Sequence, residues 1–394
     1  MTEIKSPFAG VEEALEEIRN GRMIVLVDDE DRENEGDLTM ASEKITPDAV
    51  NFMAKEGRGL ICLALTEERC DSLNLTPMSQ RNTSAFGTPF CESIDARRGT
   101  TTGISAADRA ATILAAINPD ARPEDLARPG HIFPLRARRG GVLVRAGQTE
   151  ASVDLARIAG LEPSGVICEI MNDDGTMARV PQLAEFCRRH DLKLLTIADL
   201  IRYRMRHERY VKRVAETILP TRHGDFRMIA FASETDNELH VALIRGELSG
   251  DTPPLVRVHS HCLTGDVFGS LACDCREIIE HSLEAIAAEG RGVFVYLHHA
   301  GRGFRIDPPT EESGALPRIL FHSRAEIDQD LNRQRLVWRE SGIGSQILID
   351  LGLRRIRVLT NHPRKLAALE GYGLEITEQV SLKLTQTKTS HQAL

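Results

Sequence analysis

The sequence has no long hydrophobic run and no export signal, and these two absences narrow the class of protein. No apolar stretch reaches the roughly 18 residues that a membrane-spanning helix needs. Residues 1–10 lack a basic segment followed by an apolar one. The eight cysteines are scattered through the chain with no signal peptide ahead of them, which predicts reduced thiols and no disulfide framework. We therefore expect a cytoplasmic protein without membrane contact.

An excess of positive charge is also missing. The chain has 49 lysine and arginine residues against 58 aspartate and glutamate residues, and its formal net charge is −9. A protein that binds nucleic acid mainly through phosphate contacts usually carries the opposite balance. Nucleic acid is therefore not an expected partner, whereas a small anionic ligand stays compatible because it contacts only a local pocket.

The 394 residues contain no internal repeat and no low-complexity tract, and 41% of them are apolar, as in ordinary globular proteins. Such a length accommodates two or three domains. In the first half, helical and strand patterns alternate, which predicts an α/β or α+β domain with a substantial sheet. The predicted strands are 23–27, 60–65, 141–144 and 166–170, and the predicted helices are 11–18, 106–117 and 180–189.

A basic stretch at residues 202–213 separates two patterned regions. Such a stretch is typical of a solvated helix or a linker between domains. Beyond it we predict strands at 226–232, 240–245, 292–297 and 356–359, and helices at 277–288 and 345–351. The sequence thus predicts two domains, residues 1–205 and 206–394, each a mixed sheet with packed helices.

An acidic segment follows the first predicted strand directly. Residues 28–37 contain seven carboxylates in ten positions. Most acidic runs are solvated surface loops, but this one begins at a buried strand end, where α/β folds place their sites, and apolar sequence resumes at Leu38. Clustered carboxylate oxygens suit Mg²⁺ or Mn²⁺, and Arg32 beside them can bind a phosphate or an enediolate.

Three further segments contain residue types that are common in active sites. Residues 128–131 form a predicted Pro-Gly turn that ends in His131, although a lone histidine after a turn is more often structural. Residues 145–149 follow the predicted strand 141–144 and offer Arg145 and Thr149 to a phosphate. Glu169 lies inside a predicted strand, where an unpaired carboxylate is costly or has a raised pKa.

Together these segments carry a specific resemblance. The runs at 28–37, 101–109, 128–131, 149–155 and 168–175 are similar, in order and spacing, to the 3,4-dihydroxy-2-butanone 4-phosphate synthase family over residues 8–205. The resemblance implies conversion of D-ribulose 5-phosphate to L-3,4-dihydroxy-2-butanone 4-phosphate, a riboflavin precursor, and formate. Proton abstraction beside a ketone requires a general base and a Lewis-acid metal, which this residue set can supply.

The same resemblance assigns roles to individual residues. It implies that Glu33 binds the divalent metal and that His131 and Glu169 transfer protons. The implied substrate contacts, besides Glu33 and Glu169, are Arg32, Asp37, Cys62, Arg145, Gly147, Gln148 and Thr149. Gln148 replaces a histidine metal ligand of many family members, and its amide oxygen can serve Mg²⁺ instead.

Three cysteines in the second half have the spacing C-x10-C-x-C: Cys262, Cys273 and Cys275. Buried cysteines without a ligand are the alternative, but Cys-x-Cys brings two thiols within reach of one ion. Three thiolates with an open position make a catalytic type of zinc site.

The second half resembles GTP cyclohydrolase II over residues 219–380, on the segments 257–260, 301–303, 342–348 and 359–365. The resemblance implies that the three cysteines bind Zn²⁺ and that Arg339 matches the catalytic arginine of the family. It also implies four contacts to GTP or another nucleotide, from Arg257, Arg302, Thr360 and Lys365.

Several catalytic positions of that second family are changed. His261 and Ala300 each replace a glutamate, Ile278 replaces a glutamine, and Val337 replaces an aspartate. The expected tyrosine is also missing, because no tyrosine occurs between Tyr296 and Tyr372. Each lost acid–base group costs roughly 10²–10⁴ in rate, so we expect little cyclohydrolase turnover.

Three hypotheses follow from the sequence. In the first, a working synthase is fused to a degenerate domain with a structural or regulatory role. In the second, the protein is bifunctional and also hydrolyses GTP. In the third, Gln148 also abolishes the activity of the first site, and the protein is a non-catalytic scaffold that binds pathway partners. Both resemblances imply a homodimer.

Overall fold

The computed structural model describes residues 7–28, 33–84, 86–234, 238–250, 252–298, 304–307, 318–321, 342–361 and 374–382. The chain divides into two compact units, Met1–Arg204 and Met205–Leu394. Each contains a seven-stranded mixed sheet with packed helices, which confirms the predicted fold class. Within the described residues, no helix combines the length and apolar character needed to cross a membrane.

The sheet of the first unit mixes parallel and antiparallel pairs. Its strands are β1 (Ile24–Val27), β2 (Gly36–Ala41), β3 (Cys62–Leu65), β4 (Ile94–Ala96), β5 (Leu126–Arg136), β6 (Ser164–Glu169) and β7 (Lys193–Thr196). They lie in the order β4-β5-β3-β6-β2-β1-β7, in which β3 runs parallel to β5 and antiparallel to β6. The β1 strand is parallel to β7 and antiparallel to β2.

Seven helices are described in this unit. They are α1 (Val11–Arg19), α2 (Pro47–Phe52), α3 (Glu67–Ser72), α4 (Ala106–Ile117), α5 (Gln148–Ile158), α6 (Val180–His190) and α7 (Ile197–His207). In α1, the buried residues Val11, Ala14, Leu15 and Ile18 recur at helical spacing. They pack in one cluster with Ile24 and with other residues of β1, α5 and α7.

The second unit repeats this kind of architecture with another topology. Its strands are β8 (Val211–Thr221), β9 (Gly224–Ser233), β10 (Leu239–Arg245), β11 (Leu255–Ser260), β12 (Gly292–Leu297), β13 (Phe304–Asp307), β14 (Arg318–Phe321), β15 (Arg355–Leu359) and β16 (Glu375–Val380). The large sheet has the order β16-β15-β11-β12-β10-β9-β8, and β13 pairs separately with β14. The helices are α8 (Cys275–Glu289) and α9 (342–350).

The predicted strand 141–144 is wrong. Residues Gly141–Leu143 form a 3-10 turn instead. Gly140 and Gly141 have φ angles of 88° and 61°, which an extended strand cannot contain. The turn is held by the Val142 amide, which donates to Asp154 Oδ2 at 2.8 Å.

The predicted turn at 128–131 is also wrong, since these residues lie within strand β5. The Arg128–Pro129 peptide is cis. The residues on either side of the segment pair with β4, Ala127 with Asp95 and Ile132 with Ile94, and the register shifts between these two pairs, so residues 128–131 form a bulge within the strand.

The basic stretch 202–213 is helical as far as His207, as one of the two predicted alternatives had it, and most of its basic side chains are exposed, but it is not an extended linker. It contains the end of α7 and the start of β8, and Arg204 and Tyr210 are buried. The Arg204 guanidinium forms a buried ion pair with Asp154 at 2.7 Å, and the Tyr210 amide donates to Gln346 Oε1 at 2.9 Å. Periodicity could not reveal these contacts because the partners are distant in sequence.

Candidate functional site

Four neighbouring strands of the first sheet bring the predicted site residues onto one face. Asp37 of β2 is the register partner of Glu169 of β6, and Cys62 of β3 is the partner of Ile167, two residues before Glu169. Opposed residues in a sheet share a face, and alternate residues of one strand do so too. His131 precedes Phe133, the β5 partner of Cys62, by two residues. All four side chains therefore lie on the same face, and His131 and Glu169 are separated by two strand spacings, about 10 Å.

Negative charge is concentrated at the β2–β6 end of this row. Burial, then repulsion from Glu169, raises the pKa of Asp37 well above its usual value. Burial and Glu169 likewise raise the pKa of Cys62 well above its usual value. This shift favours the neutral thiol over the thiolate at Cys62.

Glu169 is fixed by the backbone beside it. Its Oε2 atom accepts a hydrogen bond from the Leu60 amide at 2.8 Å, so the carboxylate is not the unpaired group that the sequence suggested. Gly59 makes this approach possible, because a Cβ atom there would lie 2.5 Å from Oε2.

The acidic loop after β1 is organised by two residues that bridge it. Asp28 is buried and accepts hydrogen bonds from the amides of Glu33 and Glu35 at 3.1 and 2.9 Å. Arg179 of the segment before α6 donates to the carbonyls of Glu33, at 2.7 Å, and Asn34. The residues 29–32, and Arg32 with them, lie outside the described part of the chain.

This oxygen-rich environment suits a divalent cation. Burial raises the pKa of Glu35, and Glu33, Glu169 and Asp28 add to the effect, against the lowering by Arg179. Gln148 is buried, with its amide nitrogen 3.5 Å from the Glu35 carbonyl oxygen. Clustered hard oxygen donors that repel one another are the donor set that Mg²⁺ and Mn²⁺ prefer.

His131 is oriented by a carboxylate that the sequence analysis did not identify. Asp95 Oδ2 lies 2.8 Å from His131 Nδ1, and Asp95 Oδ1 accepts the His131 amide at 3.0 Å. Because a carboxylate accepts, Nδ1 carries the hydrogen and Nε2 of the neutral ring carries the lone pair. This is the tautomer of a general base that acts through Nε2.

The loop before α4 packs against this histidine–aspartate pair. Its Gly103 has a φ angle of 92°, and a Cβ atom there would lie 2.2 Å from Asp95 Oδ2 and 2.6 Å from His131 Nδ1. Asp108 of α4 holds the loop by accepting from the Thr101 hydroxyl at 2.7 Å and the Gly103 amide at 3.1 Å. Hydrogen bonds from Thr101 lower the pKa of Asp108, so it stays an acceptor.

The segment 145–149 leads into helix α5. Gly147 is the residue before the helix, and Gln148 and Thr149 form its buried first turn. Arg145 donates to Glu150 Oε2 at 2.7 Å, and the Glu150 side chain is fully buried. An arginine held in this way next to a helix N-terminus forms an arrangement suited to a phosphate group.

The second unit gathers three thiols. Cys262, Cys273 and Cys275 are buried, and their sulfur atoms lie within 4.8 Å of one another. The Sγ atoms of Cys262 and Cys273 are 4.0 Å apart, close to the roughly 3.8 Å that tetrahedral Zn–S bonds of about 2.3 Å require. Gly265 permits this packing, since a Cβ atom there would lie 2.6 Å from Cys273 Sγ.

A buried carboxylate beside the thiols organises the surrounding strands. Asp266 accepts from His259 Nε2 at 3.0 Å, the Cys262 amide at 2.8 Å and the Tyr296 hydroxyl at 2.8 Å. Burial opposes ionisation, but these hydrogen bonds outweigh it and lower the pKa of Asp266. The Tyr296 oxygen in turn lies 2.8 Å from His261 Nδ1.

Comparison with known proteins identifies both units. A profile of the 3,4-dihydroxy-2-butanone 4-phosphate synthase family matches residues 12–203, and one of GTP cyclohydrolase II matches residues 212–381. The riboflavin biosynthesis protein RibBA of Aquifex aeolicus (strain VF5) is 58% identical over 96% of this chain and 93% of its own length. The chain belongs to the RibBA family. Both resemblances seen in the sequence are confirmed, and the family places the protein in riboflavin biosynthesis.

Two further comparisons agree with this membership. The RibBA protein of Salinispora tropica is 50% identical over 95% of this chain and 93% of its own length. A solved structure described as RibBX, a two-domain 3,4-dihydroxy-2-butanone 4-phosphate synthase from A. baumannii, is 39% identical, with a TM-score of 0.73. The match covers 95% of this chain and 99% of the chain in that structure.

The nucleotide contacts implied for this RibBA-family chain are only partly described. Arg257 is in β11 and donates to the Leu359 carbonyl at 2.9 Å, and burial lowers its pKa to about 10. Thr360 follows β15 and is buried, with its amide bonded to the Val380 carbonyl at 3.0 Å. Arg302, Arg339 and Lys365 lie outside the described residues, as do the changed positions Ala300 and Val337.

Two of the changed cyclohydrolase positions are described. Ile278 of α8 packs against the apolar cluster around Phe226 and Phe294, so its place is filled by a hydrophobic contact and not by a hydrogen-bonding group. His261 follows β11 and joins the Tyr296–Asp266 network.

Sequence analysis missed the residues that hold others in place. Asp95, Asp108 and Arg179 contact a site loop or the site histidine, yet none belongs to a motif with a recognisable chemistry of its own. For Asp108 a signal existed, because the family-like segment 101–109 contains it. For Asp95 and Arg179 the contacts span 36 and about 145 residues, and no local pattern indicates them.

Proposed function

We propose that the first unit converts D-ribulose 5-phosphate to L-3,4-dihydroxy-2-butanone 4-phosphate and formate, and that the second unit lacks full GTP cyclohydrolase activity. The observation that carries the first part is the row of His131, Cys62, Glu169 and Asp37 on one sheet face, beside an acidic loop. This row provides a base, a carboxylate pair and space of about 10 Å between them.

In this proposal each side chain has a chemical task. Nε2 of His131, with its tautomer set by Asp95, takes or returns a proton beside the ketone. Glu169, held by the Leu60 amide, serves the opposite end of the sugar. Arg145 and Thr149, at the start of α5, bind the phosphate.

The metal site of the first unit is assigned to Glu33 and Gln148, with Mg²⁺ or Mn²⁺ as the ion. When bound, the ion supplies Lewis-acid stabilisation for negative charge on the substrate oxygens. Asp37 and Glu35, whose pKa values are raised by burial and by their acidic neighbours, complete an environment that attracts a cation.

The second unit is proposed to hold Zn²⁺ at its three cysteines without full cyclohydrolase activity. Ile278, packed into the core, cannot hydrogen-bond a base or shuttle a proton. His261 differs from the glutamate of the family and is engaged by Tyr296. The similar two-domain protein RibBX is described by its synthase activity alone, which supports a single-activity assignment.

A second candidate is a bifunctional enzyme that also hydrolyses GTP. The match to GTP cyclohydrolase II over residues 212–381 and the intact thiol cluster favour it. The two candidate functions predict different products, because only the bifunctional enzyme releases pyrophosphate and formate from GTP.

The test is to incubate the purified full chain separately with ribulose 5-phosphate and with GTP, each with Mg²⁺ and Zn²⁺. We expect formate from the sugar phosphate and no pyrophosphate from GTP. Formate from both substrates would establish the bifunctional enzyme. Formate from neither would leave a pathway scaffold and contradict the proposed lyase.

A further inference from the structure

Arg179 connects the acidic loop after β1 to the segment that follows β6. Its Nη1 group donates hydrogen bonds to the carbonyl oxygen of Glu33, at 2.7 Å, and to that of Asn34. The same nitrogen lies 3.9 Å from Oε1 of Glu35. The proposed reaction assigns no task to this arginine.

The turn that Arg179 contacts is bound from a second side. Asp28 accepts hydrogen bonds from the amides of Glu33 and Glu35 at 3.1 and 2.9 Å. Between them, Asn34 has a φ angle of 53°, in the left-handed region that asparagine tolerates better than most residues. The main chain of Glu33 is therefore held through its amide by a carboxylate and through its carbonyl by a guanidinium.

The backbone at Arg179 is itself tied to the strands of the site. The amide of Ala178 donates to the carbonyl of Ile170 at 3.0 Å, and the amide of Ile170 donates to the carbonyl of Gly36 at 2.9 Å. Ile170 directly follows Glu169, the last residue of β6, and Gly36 is the first residue of β2. Arg179 thus extends the framework that carries the carboxylates of the sheet.

The helix that begins after Arg179 rests on the start of β2. Leu183 of α6 is fully buried, and a Cβ atom at Gly36 would lie 2.4 Å from its Cδ1 atom. The Arg179 amide donates to Oε1 of Gln182 at 3.1 Å, which fixes the first turn of α6. Arg179 therefore occupies a defined position relative to strands β2 and β6.

We propose that Arg179 is a positioning residue that sets the affinity of the first unit for its divalent cation. The inference rests on the assignment of that ion to Glu33 in the proposed function. By binding the main chain of Glu33, Arg179 limits the positions that the Glu33 carboxylate can take relative to Asp37 and Glu169. Removal of a group that orients a metal ligand typically weakens binding by about 10–100-fold.

The positive charge of Arg179 gives the proposal a prediction of definite sign. A guanidinium close to a cation site repels the cation, so the loss of its charge alone would strengthen cation binding. The loss of its hydrogen bonds to the loop would weaken cation binding instead. The direction of the change therefore distinguishes an electrostatic effect from positioning.

The experiment measures Mn²⁺ binding, since Mn²⁺ takes the same oxygen ligands as Mg²⁺. Free Mn²⁺ is quantified by electron paramagnetic resonance in the presence of the full chain, with Zn²⁺ already supplied to the cysteines and no substrate. Arg179→Gln should bind Mn²⁺ about 10–100-fold more weakly than wild type. Arg179→Lys keeps the charge but lacks the guanidinium fork, so it should recover only part of the loss.

Two further variants define the site and the control. Glu33→Gln should lose the same binding, which identifies the site that Arg179 affects. The matched control is Arg188→Gln, which removes the same charge from an exposed ion pair with Glu185 on α6, and it should bind Mn²⁺ as wild type does.

Binding by Arg179→Gln that equals or exceeds that of wild type would overturn the proposal. Wild-type binding by Glu33→Gln would overturn it too, because the positioned residue would not contact the ion. Circular dichroism checks that the variants fold, and a folded Arg179→Lys with wild-type affinity would also overturn the proposal. Binding is measured without turnover, so absence of formate from the wild-type chain would contradict the proposed lyase alone.

Discussion

At the scale of single residues, the first site holds several carboxylates close together, and the described side chains around them do not balance their negative charges. Asp37 is 4% exposed and lies opposite Glu169. When folding raises the pKa of a carboxyl group, the folded state favours its protonated form. The group then contributes stability at pH values below the unfolded pKa, and this contribution is lost as the pH rises through the folded pKa. At pH values above the unfolded pKa, Asp37 therefore costs stability, and a bound cation would offset that cost.

Asp37→Asn should raise the melting temperature of the metal-free chain at pH 8 and change it little at pH 4, where the carboxyl is protonated. It should also abolish formate production. The measurement is thermal unfolding at both pH values, repeated with saturating Mg²⁺, which should narrow the difference at pH 8. A variant that melts below wild type at pH 8 without metal would contradict this account of the site.

Asp95 is predicted to act through His131. Asp95→Asn keeps an oxygen for the His131 amide but places an NH2 donor opposite Nδ1. This disfavours the Nδ1–H tautomer, and we expect kcat to fall by about 10²-fold or more with little change in KM. Asp95→Glu should recover part of the loss. Steady-state kinetics with ribulose 5-phosphate measure both constants.

The control for this pair is Asp48→Asn, since Asp48 is an exposed residue in the first turn of α2. It should leave both kinetic constants unchanged. An Asp95→Asn enzyme with wild-type kcat would show that the aspartate has no role in orienting the base.

At the scale of elements, the sequence predicts well where local patterning decides the structure. Residues 106–117 and 180–189 were predicted as helices, and α4 and α6 occupy them. Most buried strands, such as β1 and β12, also follow from short apolar runs. The polarity pattern is sufficient in these cases because each element buries a face of its own.

The predictions of secondary structure are wrong where the conformation of a glycine, or pairing with a strand that is distant in sequence, determines the backbone. At 141–144 an apolar run suggested a strand, but the positive φ angles of Gly140 and Gly141 produce a turn. At 128–131 Pro-Gly suggested a turn, but the four residues form a bulge inside strand β5, and the residues on either side of it pair with β4. The candidate site was predictable as a residue set through family resemblance, whereas partners such as Asp95 required the structure.

The junction between β3 and β6 offers an element-scale test. Gly59→Ala would place a Cβ atom 2.5 Å from Glu169 Oε2 and 2.6 Å from the Glu169 backbone nitrogen and oxygen. We expect a loss of about 1–3 kcal/mol in the free energy of unfolding together with lower kcat, because Glu169 must move. Denaturant unfolding and formate release measure the two effects.

Gly10→Ala is the matched control, because a Cβ atom there meets only Glu12 Oε2 at 3.9 Å and its backbone is extended. It should be close to wild type in both assays. Wild-type kcat in Gly59→Ala would mean that the exact position of the Glu169 carboxylate is unimportant.

At the scale of the whole molecule, the chain combines two sheet-based units, and only the first is proposed to be fully active as an enzyme. The first contains the proposed base, the carboxylates beside it and the proposed phosphate-binding segment. The second retains its thiol cluster while Ile278 fills a family hydrogen-bonding position with an apolar contact. Zinc would then stabilise the second unit without serving catalysis.

Removal of zinc tests whether the metal of the second unit has a structural role only. A zinc-selective chelator, with Mg²⁺ in excess, should lower the unfolding temperature of the second unit and leave the initial rate of formate release at 25 °C unchanged. Calorimetry and a formate assay on the same sample measure both. A parallel loss of lyase rate on chelation would show that the second unit's metal supports the first unit's reaction.

The most direct test of the central claim follows one carbon atom. Ribulose 5-phosphate labelled with ¹³C at C4 is incubated with the full chain and Mg²⁺, and the products are observed by NMR. In the reaction that the family resemblance implies, C4 leaves as formate, so the account predicts labelled formate together with an unlabelled four-carbon phosphate. Label that stays in a five-carbon sugar phosphate, or enters the four-carbon product, would contradict it.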